Sequence, residues 1–382
     1  MRNTMGLLFA YQNDEQMKVL TQKRALSSIP FGGRYRVVDF ALSNLVNSGI
    51  TKVGIITRDN YQSLMDHLGS GKEWDLSRKN GGMYLLPPFS QGGTGFAAGG
   101  SGVYRGKMEA LLNAHNFIRK SDAENVILSA ADCIFNMDFR EVVEYHEEKD
   151  ADITVIYHKA ALEEKENGET GTIYTVDEDG RITDVAINPS PAIVKGEVNL
   201  GISQIIIGRT LLETLINECA SHNMYSLHRD VLQRRVHDLK IYGYEYTGYC
   251  AKIDSVATFF DANMDLLSED IRQQLFYQDR QIFTKIRDES PAIYREGCEV
   301  KNSLVADGCI IEGTVENSII FRGVRVRKGA VIRNSIVMQD CEIQTGTQLE
   351  YTIVDKDVVI RENRKLFGYK MYPMVLAKGS VV

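Results

Sequence analysis

Four tetrads recur near the end of the chain: N-S-L-V at Asn302, N-S-I-I at Asn317, N-S-I-V at Asn334 and Y-T-I-V at Tyr351, at intervals of 15, 17 and 17 residues. Within this span Ile319, Val331, Val337, Ile343 and Leu349 fall on a six-residue register that only Arg325 breaks. An apolar residue at every sixth position, with a super-period near three hexads, describes a parallel β-helix. Its coils have three flat faces and bury their interior only by stacking on one another. The competing fold is an antiparallel β-domain with coincidental spacing. Many β-helices of this type belong to acyltransferases, whose chemistry generally needs a histidine base. No histidine follows His237, so this β-helix is expected to be structural, a surface for subunit or interdomain contact.

The rest of the 382-residue chain has a different character. Residues from Pro291 onward carry net charge +2 and the first 290 carry −9, which disfavours a dedicated nucleic-acid binder. Strand patterns at Met5 to Ala10, Lys52 to Thr57, Asn125 to Ala131 and Ala151 to Tyr157 alternate with helical ones near Phe40, Tyr61 and Phe139. Such βαβ alternation predicts a mostly parallel sheet covered on both faces, with ligands at the carboxyl ends of its strands. Eleven of the 32 glycines crowd the segment Gly69 to Gly106, and connections of that length are lids, binding loops or disorder. The predicted boundaries are 1–267 for the first domain, 268–293 for a polar connector and 294–382 for the β-helix with its tail. Six scattered cysteines without a C-x-x-C pair, and an apolar N-terminal run too short for a secretory signal, lead to the expectation of a cytoplasmic protein. No apolar run reaches the roughly 18 residues of a membrane span.

The runs L-T-Q-K-R-A from Leu20, F-G-G-R-Y-R-V-V-D-F-A-L-S-N from Phe31, N-S-G-I from Asn47 and Y-R-G at Tyr104 closely resemble bacterial ADP-glucose pyrophosphorylases. These glucose-1-phosphate adenylyltransferases join ATP to glucose 1-phosphate for glycogen synthesis. The resemblance covers essentially the whole chain. It implies an α/β, Rossmann-like nucleotidyltransferase domain followed by a left-handed parallel β-helix.

Several positions that carry chemistry in that family depart from its pattern. The family's first loop reads G-G-x-G-T-R-L-x-x-L-T, its backbone cradling phosphates and its Arg neutralising the leaving pyrophosphate. Aligned back from Leu20 and Thr21, this chain has no loop glycine, Gln16 at the Arg position, and Asp14 with Glu15 where the triphosphate lies. A carboxylate about 4 Å from a phosphate charge costs on the order of 4 kcal/mol at intermediate dielectric. The family's phosphate-holding Lys after K-R-A is Leu26, and its F-x-E-K-P sugar-phosphate motif is Val185 to Pro189, with Asn188 and no charge. Of the family's two metal-binding Asp residues the first survives as Asp132, and the second position holds Lys252 in G-Y-C-A-K-I-D-S; Asp254 would serve only if the strand shifted register.

What the resemblance leaves is a vestigial nucleotide and sugar pocket of Tyr104, Arg105, Gly106, Asp132, Asn199 and Gly201. The lost-function positions are Gln16, Leu26, Asn188 and Lys252. Packing motifs survive where chemical residues do not, a pattern similar to the GlgD-type regulatory subunit found beside a catalytic subunit in some Gram-positive bacteria. The expectation is a chain with no catalytic residues or metal site of its own, needing no cofactor, with Mg²⁺ involved only if residual catalysis exists. Its partner would be a catalytic ADP-glucose pyrophosphorylase subunit in a heterotetramer, with homo-oligomers when alone and no nucleic acid or membrane. The alternatives are an active enzyme using Asp132, Asp254 and new donors Arg34, Arg36 and Arg105, or a stand-alone sugar-phosphate or nucleotide sensor. Arg322, Arg325, Arg327, Lys328 and Arg333 form either a site for a phosphorylated effector or a solvated β-helix corner. Trp74 is an interface anchor or a local packing residue. Arg34 and Arg36 alternatively pair with Asp39 and fix a helix start.

Overall fold

The computed structural model describes residues 3–11, 15–88, 104–161, 171–190, 196–276 and 279–382. Asp14, the side chain of Glu15 and positions 89–103 of the glycine-rich segment lie outside the described residues. Nine strands build the main sheet of the first domain: β1 (Thr4–Phe9), β2 (Lys52–Ile56), β3 (Gly82–Leu86), β4 (Asn125–Ala130), β5 (Ile153–Ala161), β6 (Thr172–Val176), β7 (Ile182–Ile187), β8 (Glu197–Gly208) and β9 (Ile241–Glu245). Their order is β7-β6-β8-β4-β1-β2-β3, with β5 also on β8 and β9 on β5.

β1 is parallel to β2 and β4, and β2 to β3. β8 is antiparallel to β4, β5 and β6. The sheet is therefore mixed, which corrects the expectation of a mostly parallel one. The crossovers between β1, β2, β3 and β4 are long, whereas β6, β7 and β8 follow one another through connections too short for a crossover.

The helices are α1 (Val37–Asn47), α2 (Gln62–Leu68), α3 (Lys107–Asn113), α4 (His115–Arg119), α5 (Phe139–Glu148), α6 (Arg209–Ser221), α7 (Val256–Asp265) and α8 (Glu269–Phe276). Strand alternation divides β1 between two cores. Met5, Leu7 and Phe9 pack with Met108 and Leu111 of α3 and Leu212 and Leu215 of α6. Leu8 joins Val38, Leu42 and Leu45 of α1 and Phe139 of α5 on the opposite face. Burial on both sides is why β1 reads as a continuous apolar run.

The C-terminal domain is a three-sided parallel β-helix of three five-stranded sheets. Each letter of the tetrad has its own place. Asn302, Asn317, Asn334 and Tyr351 occupy one corner with φ between +40° and +48°, a left-handed conformation that asparagine tolerates best after glycine. The second letters form a ladder up the stack: Ser303 Oγ accepts the Ser318 N–H, Ser318 Oγ that of Ser335, and Ser335 Oγ that of Thr352, each at 3.1 Å. The third letters align as an outward column, Leu304, Ile319, Ile336, Ile353 and then Val375, and the fourth letters as an inward one, Val305, Ile320, Val337, Val354 and then Leu376.

The hexad register is corrected accordingly. Interior positions run Ile320, Val326, Ile332, then Val337, Ile343, Leu349, then Val354 and Ile360. A 17-residue coil is one short of three hexads, so the register slips once per coil at the tetrad corner. Arg325 is no break: it points outward beside inward Val326.

The outward column does not face water. Ile319, Ile336 and Ile353 share a core with Phe31 and Phe40, with Phe259 and Phe260 of α7, and with Met17 and Leu20. A buried Arg24–Asp355 ion pair crosses the same seam. The segment read as a polar connector holds α8, whose Phe276 stacks on Tyr35 with ring centroids 5.1 Å apart. The first β-helix strand begins at Ile293.

Candidate functional site

Side chains at the carboxyl ends of β1 and β4 meet those around the start of α3 at one corner of the sheet. Directly after β1, the Tyr11 ring lies 6.0 Å from Phe9 and 5.4 Å from Tyr104, with the Arg58 guanidinium 5.8 Å from its centroid. Its hydroxyl is buried with no hydrogen-bond partner among the described residues, and burial holds its pKa far above that of an ordinary phenol. Tyr104 Oη accepts a hydrogen bond from Asn113 Nδ2 at 2.9 Å. Arg105 is exposed at the rim, its guanidinium 4.9 Å from the Tyr225 centroid and its backbone N–H bonded to Glu109 at 2.6 Å. Gly106 starts α3 against the backbone of Tyr225, whose carbonyl oxygen would lie 2.3 Å from any Cβ there. That close approach accounts for this glycine structurally.

Asp132 closes the corner and is 4% exposed. Its backbone oxygen accepts the Ile253 N–H at 2.7 Å, anchoring an antiparallel pair in which Lys252 stands opposite Cys133 and Ala251 opposite Ile134. Lys107, the first residue of α3, reaches the same corner with its ammonium 5.3 Å from the Phe9 centroid. Burial foremost, with the Lys252 charge in the same direction and Asp132 opposing, lowers the Lys107 pKa. His228, in a π-helical turn Leu227–Gln233, is pushed down to about 3 by burial and by Lys107 and Lys252. The Cys133 thiol is raised by its contact with Cys250, by burial and by the Asp132 charge. The corner thus holds one acidic side chain, two ammonium groups and an imidazole that is neutral at physiological pH.

A magnesium ion does not fit this donor set. A hard dication takes oxygen ligands, carboxylates above all, whereas Asp132 shares its corner with two lysines. Asp254 does not come to its aid: its carboxylate accepts from Thr258 Oγ1 at 3.1 Å and its N–H donates to the same oxygen, at the start of α7. Among the described residues no group of three or more His, Cys, Asp or Glu is placed to hold a metal.

On β8, Asn199 Nδ2 is bonded to the Tyr174 carbonyl at 3.2 Å, and the Tyr174 ring lies 2.7 Å from where a Gly201 Cβ would stand. Asn188, at φ +47°, ties the open end of the β6–β7 hairpin: its side-chain oxygen accepts the Gly171 N–H at 2.9 Å. Residues 15–20 form a 3-10 helix that sends Met17 and Leu20 into the seam and leaves Gln16 exposed. Leu26, 2% exposed, joins the same seam.

The five C-terminal cations do not converge. Arg322 turns into the seam, where burial and the nearby Arg34 lower its pKa. Arg327 pairs with Glu342 at 2.7 Å and Arg333 with Glu316 at 2.9 Å, while Arg325 and Lys328 are exposed. Arg36 donates to the Ser63 carbonyl at 2.7 Å, and its backbone N–H is capped by Asp39 at 2.9 Å. The helix-start reading holds for Asp39 and Arg36, while Arg34 lies over the Tyr35 ring. Trp74 is buried edge-on to His67 at 5.8 Å, a local packing residue. Sequence reasoning missed Lys107 and His228. Lys107 follows the Y-R-G motif directly and was within reach; nothing in spacing singled out His228.

The Nucleotidyl transferase family profile matches residues 15–252, and the GlmU-like C-terminal hexapeptide profile matches residues 291–370. The glycogen biosynthesis protein GlgD of Bacillus subtilis (strain 168) is 36% identical over 99% of this chain and 96% of its own length. The glucose-1-phosphate adenylyltransferase of Geobacillus stearothermophilus is 32% identical over 87% of this chain and 84% of its own, and that of Thermotoga maritima 32% over 87% and 77%. The chain belongs to the glucose-1-phosphate adenylyltransferase family. Its hexapeptide coils are those of a left-handed β-helix, and its mixed sheet is the nucleotidyl transferase sheet.

Proposed function

We propose that the chain is a regulatory subunit in glycogen biosynthesis with little or no activity of its own. It assembles with a catalytic glucose-1-phosphate adenylyltransferase in the cytoplasm and shifts that partner toward its active state. The observation that carries this reading is the register of Lys252 opposite Cys133, which puts an ammonium where a second acidic ligand would have to face Asp132. The rebuilt 15–20 segment and the apolar seam support it, because they join the pocket to the β-helix as one packed unit. Coupling between subunits would bias a two-state equilibrium by roughly 1 to 3 kcal/mol. The Asp132–Asp254 enzyme is disfavoured by the engagement of Asp254 with Thr258.

The test supplies ATP, Mg²⁺ and glucose 1-phosphate to this chain alone, to a catalytic subunit alone and to both, and follows pyrophosphate release and co-elution. The expected result is negligible release by this chain, a hetero-oligomer, and altered partner kinetics. Robust release by this chain alone, or neither co-elution nor any kinetic change, overturns the reading.

A further inference from the structure

The last coil of the β-helix carries an insertion. Along the column of third tetrad letters the pairings advance by 15, 17 and 17 residues, Leu304 to Ile319 to Ile336 to Ile353, and then by 22 to Val375. On the sheet before it Leu349 to Leu366 is still 17, so the five extra residues all lie at the tetrad corner. Gly368 takes the corner, its N–H bonded to the Glu350 carbonyl at 2.9 Å as that of Asn334 is to the Glu316 carbonyl. Tyr369 and Tyr372 then exchange both backbone hydrogen bonds, at 3.2 and 2.9 Å, around Lys370 and Met371. The Met374 N–H returns to the Tyr351 carbonyl at 3.0 Å, so the insertion is a tight hairpin tied down at both ends.

Tyr369, Tyr372 and Met371 are 77%, 75% and 73% exposed, above every other large apolar side chain among the described residues, and Phe367 just before them is 49% exposed. None of the four belongs to a hydrophobic core. Fixing such a hairpin costs conformational entropy that no core contact offsets, whereas tyrosine and methionine on a pre-ordered turn suit the centre of an interface. Charge narrows the occupant. Residues 361–372 hold Arg361, Arg364, Lys365 and Lys370 against Glu362, all exposed, and Glu350 flanks Phe367 on the adjacent strand. Like charge opposes contact between two hairpins, while the first 290 residues carry −9. There, α5 and the turn after β6 present Glu141, Glu144, Glu148, Glu178 and Asp179 beside the half-buried rings of Tyr145 and Tyr244, 5.5 Å apart. Of the cations nearby, Arg140 is paired with Asp138, Lys149 donates to the Asp179 carbonyl at 2.9 Å and Arg181 to that of Leu239 at 3.4 Å.

We propose that the Tyr369–Tyr372 hairpin docks on the α5 face of a second copy of this chain. One hairpin is small beside the about 800 Å² that each partner of a stable interface buries. A two-fold axis supplies the contact twice, each copy giving its hairpin and receiving the other's. The hairpin rings lie against Tyr145 and Tyr244, and Lys370 enters the carboxylates around Glu144. The inference rests on these two surfaces and not on the regulatory reading.

Sedimentation velocity of the full chain alone, across micromolar concentrations at low and high salt, tests it. A dimer that weakens as salt rises is expected. Tyr369→Ser with Tyr372→Ser should weaken dimerisation by about tenfold or more, at an unchanged urea midpoint because neither ring lies in a core. Lys370→Glu and Glu144→Lys should each leave the chain monomeric where the unsubstituted chain is dimeric. An equimolar mixture of those two variants should restore the dimer, since one of its contacts is native and the other is reversed on both sides. A monomer throughout, a dimer indifferent to the hairpin variants, or a mixture that does not associate overturns the proposal. A hairpin needed only for co-elution with a catalytic subunit also overturns it and leaves the regulatory reading standing; the expected dimer with no activation of a catalytic partner does the reverse.

Discussion

Arg24 and Asp355, 331 positions apart in sequence, meet in a buried ion pair that joins the first domain to the β-helix. Both are almost wholly enclosed, at 5% and 1% exposure, and Arg24 Nε also donates to the Leu20 carbonyl at 2.9 Å. Removing one partner strands the other charge without water. Asp355→Ala is expected to destabilise the chain by about 3–5 kcal/mol, whereas Arg24→Met with Asp355→Leu recovers most of that loss. Urea unfolding of the two variants checks it; equal losses would show that the Asp355 side chain matters for its shape and not for its charge.

Lys356 adjoins this pair, and burial, helped by the charges of Arg36 and Arg24, pushes its pKa down to about 7. In the unfolded chain a lysine titrates at about 10.4. Between these two values the unfolded state binds more protons, so this residue makes stability rise with pH across that window. Below about pH 7 the folded state carries the buried charge and its penalty is complete. Lys356→Met should flatten the rise and stabilise the chain most at the acidic end, as read from urea midpoints measured across the window.

The charges at Asp132 have a spectroscopic signature. Burial, and after it Lys107 and Lys252, depress His228, so Lys252→Met should move its titration upward. Histidine ring signals followed by NMR decide this. An unshifted His228, or one that already titrates near 6.5 in the unsubstituted chain, would mean that the two ammonium groups do not face it.

The β-helix corner gives a stability series. Asn334 sits at φ +43°, where alanine costs roughly 1–2 kcal/mol and glycine little. Asn334→Ala should therefore lower the thermal midpoint and Asn334→Gly should not. Tyr351 holds the same conformation at φ +48° with a bulky side chain, because its ring packs on Phe260 at 6.3 Å across the seam. Tyr351→Asn relaxes the backbone but loses that contact, so it should weaken the seam and not the coil.

The β-helix was legible because its period is a backbone property: a corner that needs positive φ selects asparagine, and the selection repeats every coil. Its exact register was not, because a 17-residue coil slips against a hexad and Ile319 is apolar for a second reason, the seam. Apolar letters do not say which of two cores they enter. The parallel half of the sheet was readable from β1, β2 and β4, whereas the antiparallel half depended on β8 serving β4 and β6 on one edge, a tertiary arrangement with no local signal. At the pocket, the substitution at Lys252 was visible in the sequence, but the identity of its companions was not. Lys107 comes to Asp132 from α3, and His228 comes to Lys107 and Lys252 from a π-helical turn more than a hundred residues further on.

The 3-10 helix of residues 15–20 links both halves of the molecule mechanically. Met17 and Leu20 are seated among Phe259, Phe260, Ile353 and Val375, and Tyr11 stands one short stretch of chain upstream at the pocket wall. A side chain lost from the last coil at Val375 therefore loosens the seat of residues 15–20 as well, so the end of the β-helix and the start of the first domain are packed as one body.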